Sequence, residues 1–68
     1  MKANRAYELL VRKGRHEHVE IVEVDTGEVV LFWDTRVGDT GKLARALRTD
    51  LAALDADEFL AKWRRYER

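Results

Sequence analysis

The chain has 68 residues, 46% of them hydrophobic and 38% charged, which supplies one small apolar core and leaves no room for a second domain. Its formal net charge is zero, so it lacks the overall basic excess usual in proteins that bind by charge alone. Cys, Ser, Pro and Gln are all absent, which removes disulfide staples and the two commonest covalent nucleophiles.

None of the four Thr residues stands at the N-terminus, where a Thr could use its own amine as base, and no enzyme activity is expected. A small domain without disulfides fits a reducing compartment, and the expected location is the cytoplasm. The longest early apolar run, Leu9-Leu10-Val11, is too short for a signal-peptide core or a membrane span, so no membrane association is expected. Nine of the thirteen basic residues are Arg, and Ala, Val and Asp are frequent, a bias that fits a small protein from a GC-rich bacterial genome.

Charge is unevenly placed along the chain. Residues 1–15 carry five basic groups (Lys2, Arg5, Arg12, Lys13, Arg15) against Glu8. Residues 16–34 carry six acids and neither Lys nor Arg; residues 35–54 turn basic again with Arg36, Lys42, Arg45 and Arg48 against Asp39 and Asp50. An acidic hairpin beside basic neighbours accounts for this pattern, each exposed pair contributing little.

The first segment, Tyr7 to Arg12, reads two ways. At period 2, Tyr7, Leu9 and Val11 share one face of a strand. At period 3.6, Ala3, Ala6, Tyr7, Leu10 and Val11 form a helical stripe ended by Gly14. The strand is preferred, because a two-stranded ribbon is marginal and a third strand supports it.

His18 to Asp34 predicts a β-hairpin. Val19 to Val24 is β-branched and nearly alternating, and Val29 to Trp33 is apolar throughout. Asp25 and Thr26 suit the centre of a type I turn, with Gly27 in the left-handed conformation of a bulge. This turn sets Val24 opposite Glu28, Val22 opposite Val30 and Ile21 opposite Leu31. One face then holds Val19, Ile21, Val29, Leu31 and Trp33, and the other Val22, Val24, Val30 and Phe32.

The rest is helical. Asp39 or Thr40 caps a first helix whose stripe is Leu43, Ala46, Leu47, Asp50, Leu51 and Leu54. Asp55 caps a second, Glu58 completes a capping box, and Phe59, Leu60, Trp63 and Tyr66 form its apolar side. The expected fold class is α+β: a small antiparallel β-meander of two or three strands followed by two short C-terminal helices packed on the sheet.

Three groups of side chains are candidates for function. His16, His18 and Glu20 alternate along a strand and could converge on a divalent metal, but two solvated histidines at a hairpin mouth are the simpler reading, so no metal and no cofactor is expected. Lys42, Arg45 and Arg48, with Arg36 upstream and Arg64 and Arg65 in the second helix, could follow a phosphate backbone, even as a helix-turn-helix. That pair of helices lacks the Gly often found in the turn, and the second helix has no Asn, Gln or Ser to read base edges. Phe32 and Trp33 are adjacent on a strand and therefore point to opposite faces; an aromatic on the less covered face marks a contact surface. Asp55, Asp57 and Glu58 are accounted for by capping and the helix dipole, and Gly38 to Lys42 lacks the spacing of a phosphate-cradling loop.

The sequence thus predicts a non-catalytic protein-interaction or homo-oligomerising module with Phe32 and Trp33 at its contact surface. A small nucleic-acid-binding regulator using the basic face of the first C-terminal helix is the alternative.

Overall fold

A computed structural model describes residues 1–67. The order of elements is α1 (Ala3–Ala6), β1 (Tyr7–Arg12), β2 (His18–Glu23), β3 (Val29–Asp34), α2 (Thr40–Ala53) and α3 (Ala56–Arg64). The strands form one antiparallel sheet in the order β1-β2-β3, and the two longer helices follow it, as the sequence predicts. The ambiguous first segment divides: Ala3–Ala6 makes a single helical turn and Tyr7–Arg12 is a strand with Tyr7, Leu9 and Val11 half-buried.

Alternation gives the sheet two unlike faces. Val19, Ile21, Leu31 and Trp33 turn inward and, with Leu47 and Leu51 of α2 and Phe59 and Trp63 of α3, make the core. Tyr7 stacks on Phe59 with ring centroids 6.0 Å apart, and Trp33 meets Trp63 edge-on at 6.0 Å. Fully burying such side chains contributes about 1.5–3 kcal/mol each, which offsets the ordering of so short a chain.

The hairpin departs from the expected register beyond Ile21. Ile21 does oppose Leu31, but Val22 opposes Val29, so Val30 is an extra residue in β3. The cause is local bonding in the turn. The Thr26 hydroxyl donates to the Glu23 carboxylate (3.0 Å) and accepts from the Glu28 N–H (3.2 Å), drawing Glu28 toward Glu23. The Glu23 N–H then donates to the Glu28 carbonyl at 2.8 Å, and Val24 joins the loop instead of pairing with Glu28. Gly27 closes that loop at φ 73°, the left-handed region where L side chains are strained. As a result Val29 and Val30 exchange the expected faces: Val29 is exposed, and Val30 packs against the core.

In α2 the buried line is Thr40, Ala44, Leu47 and Leu51, with Leu43 and Leu54 at its margin. Ala46, expected in this stripe, is exposed, and Ala44 takes its place because the stripe follows a 3.6-residue period from Thr40. Asp50 belongs to the stripe for a polar reason: its carboxylate accepts the Trp63 indole N–H at 2.9 Å and pairs with Lys62 at 2.7 Å. Asp39 precedes α2 without a side-chain capping bond, whereas Asp55 and Glu58 form the expected capping box on α3. The N-terminal residues clasp the junction of the two helices. Ala3 N–H donates to the Leu54 carbonyl and Ala56 N–H to the Met1 carbonyl, both at 2.9 Å.

Candidate interaction surfaces

Both helices lie on the inner face of the sheet, and among the described residues no element covers the outer face. Following the register, Glu8, Val22 and Val29 form one row across it, Leu10, Glu20 and Phe32 the next, and Arg12, His18 and Asp34 the third. Leu10 is 44% exposed, Phe32 38% and Val29 48%; Glu20 separates Leu10 from Phe32 in the middle row, and the half-buried Val22 lies beside Val29. His18 lies against the Phe32 ring at 5.1 Å and pairs through Nε2 with Glu20 at 2.8 Å.

Trp33, predicted with Phe32 as a contact residue, belongs to the core. It is 8% exposed, and its indole N–H donates to the Tyr66 carbonyl at 3.0 Å. Opposite placement of adjacent strand residues requires this division, and the helices determine which of the two is covered. Tyr66 lies beyond the end of α3 and is exposed, its ring 5.5 Å from that of Trp63. The outer face also exposes Leu10 and Val29. Leu10 was legible from period 2 in β1, whereas Val29 follows from the bulge.

The basic residues do not all gather on one surface. Arg45 lies between two grooves. One groove, between α2 and α3, also carries Lys42, Lys62 and the Tyr66 ring, and the other, between α2 and β1, carries Lys13 and Arg48. Arg64 lies on the other flank of α3 beside Asp57 and Leu60, and Arg36 and Arg65 are exposed outside the helices.

His16 sits in the exposed turn before β2, while His18 is engaged with Glu20 and Phe32. Among the described residues no three His, Cys, Asp or Glu side chains come together in a metal-binding arrangement.

A polar cluster at the start of α2 has no counterpart in the sequence reading. Thr40 is buried, its hydroxyl donates to the Glu17 carboxylate, and the Thr35 hydroxyl donates to Thr40 Oγ1 at 2.6 Å. Gly14 N–H donates to the other Glu17 oxygen at 3.2 Å. The Thr40 and Gly14 bonds, with the nearby Lys13 charge, hold the Glu17 carboxyl below its ordinary range against the opposing effect of desolvation. The cluster ties the β1–β2 turn to α2.

No described helix is long and apolar enough to cross a membrane. Comparison with protein-family models, with curated proteins and with solved structures finds no match to this chain.

Proposed function

We propose that the protein is a non-catalytic interaction module that docks a protein partner, or a second copy of itself, on the outer face of its sheet. The observation that supports this reading is the exposure of Leu10, Phe32 and Val29 on one face of the sheet, which no element covers among the described residues. An aromatic side chain half-out of water within a charged border is the usual form of a contact anchor. The absence of Cys supports a cytoplasmic setting. Nucleic-acid binding is the weaker reading, because the formal net charge is zero and Arg64 stands apart from Lys42, Arg45 and Arg48 on the other flank of α3.

The test is photo-crosslinking in the native cell with a benzophenone amino acid placed at Phe32, at Leu10 and, as control, at the exposed Ala61 of α3. A discrete protein adduct from positions 32 and 10 but not from 61 is the expected outcome. An adduct of twice the 8.0 kDa chain mass identifies a second copy as the occupant. No adduct, or the same adducts from all three positions, rejects the reading.

A further inference from the structure

The two edges of the sheet are treated differently. On the β3 edge the outward Phe32 N–H donates to a Glu67 carboxylate oxygen at 2.8 Å, and Tyr66 lies beside it through its bond to Trp33. Among the described residues the β1 edge has no such cover. Glu23 uses its N–H and C=O on the β3 side, and Val24 N–H donates to the Ala6 carbonyl at 3.0 Å, which fixes the alternation along β2. Glu8, Leu10 and Arg12 therefore face β2 with their backbone groups, and Tyr7, Leu9 and Val11 aim theirs out of the sheet. Tyr7 N–H donates to the Ala3 carbonyl of α1, and among the described residues no backbone bond from outside the sheet meets the outward groups of Leu9 and Val11.

Beside this edge, on the inner side, runs the groove between Val11 and α2 that carries Lys13, Arg45 and Arg48. None of these three cations forms an ion pair among the described residues. An unpaired strand edge is a template for another strand, and a neighbouring shelf of one charge selects the sequence that adds to it.

We propose that the β1 edge accepts an extended acidic segment of a partner protein as a fourth strand. Residues of the segment opposite Leu9 and Val11 exchange backbone hydrogen bonds with them and point inward, where carboxylates meet Lys13, Arg45 and Arg48. Intervening residues point outward beside the exposed Leu10, where apolar side chains enlarge its apolar surface. The preferred pattern is thus alternating acidic and apolar residues. A second copy fits this edge poorly, because two-fold pairing of β1 with β1 brings two sets of Lys13, Arg45 and Arg48 together. The inference rests on the protein being an interaction module and adds a surface to the one already proposed.

The experiment is a backbone amide NMR titration of the full chain with a blocked heptapeptide alternating Glu and Val. Saturable shifts and slowed exchange at Leu9 and Val11 are expected. The Lys–Val peptide should fail, as should the same Glu–Val peptide N-methylated at its Glu residues, since those amides bond to β1. Arg45→Glu with Arg48→Glu, both at exposed positions, should weaken binding by about tenfold or more while leaving the apo spectrum dispersed. Shifts confined to Val22, Val29 and Phe32 overturn the edge inference and leave the outer-face reading standing. Shifts at β1 together with failed crosslinking at Phe32 reject the outer face and keep the edge. Binding that survives N-methylation, β1 shifts that depend on protein concentration without peptide, or no shift up to millimolar peptide each overturn it.

Discussion

Phe32 and Trp33 are neighbours in sequence with similar chemistry, and the fold predicts very different consequences for their loss. Trp33→Ala removes a ring that is 8% exposed, packs edge-on against Trp63 and donates its indole N–H to Tyr66. Large-to-small changes of a buried aromatic cost about 3–5 kcal/mol, and the hydrogen bond adds on the order of 1 kcal/mol. Phe32→Ala removes a ring 38% exposed, resting chiefly on His18, and should cost about 1 kcal/mol. A chain of this length has a total stability of about 3–10 kcal/mol, and each kcal/mol moves Tm by roughly 4–8 °C. Trp33→Ala should therefore lower Tm by about 20 °C or more, or abolish cooperative melting. Phe32→Ala should lower it by about 6 °C and keep the transition sharp. Thermal melts followed by circular dichroism measure both. Equal losses, or a greater loss for Phe32, would refute the assignment of inner and outer faces.

Other substitutions examine the polar contacts and the turn. Asp50→Ala leaves the Trp63 indole N–H without its acceptor and should cost about 1–3 kcal/mol in urea unfolding, whereas Asp50→Asn keeps an acceptor and should cost less than half as much. Glu17 has a carboxyl pKa below its ordinary value near 4.5, so its contribution is present above that pH and fades as pH falls through the lowered folded value. Urea melts of wild type and Glu17→Gln should differ at neutral pH and converge in acid; a constant difference across the range would contradict the assigned bonds. Gly27→Ala should cost about 1–2 kcal/mol by strain alone, since nothing lies within 4 Å of an added Cβ, and Gly27→Asn should cost clearly less. Equal melting temperatures for the two variants would show that the turn does not hold Gly27 at positive φ.

The fold was legible where local chemistry acts alone. Alternation in His18–Glu23, the capping box at Asp55 and the Leu spacing of α2 each require one element at a time, whereas Tyr7–Arg12 was set apart from a helix only by the support a third strand gives the hairpin. The face exchange of Val29 and Val30 was not legible, because it depends on which hydroxyl and carboxylate Thr26 engages inside the turn. Ala44 and Ala46 have the same composition and similar spacing, so only the position of the sheet beneath α2 separates them. The contact surface was partly legible. Adjacency required Phe32 and Trp33 to diverge, but the choice between them is made by α3, whose Trp63 meets Trp33 on the inner face. The cluster of Thr40, Thr35 and Glu17 joins residues up to 23 positions apart, and no periodic pattern announces such a junction.

The clasp of the N-terminal residues on the helix junction has a kinetic consequence. Lys2 Nζ reaches the Ala53 carbonyl across 51 positions, and Ala3, fully buried, sits beside that junction. Closing so long a loop is entropically expensive, so hairpin and helix pair are expected to form before the chain start folds back over them. Contacts completed after the transition state govern escape from the native state more than arrival in it. The first three residues then behave as a latch: they add little to the speed of folding and set how long the folded molecule lasts.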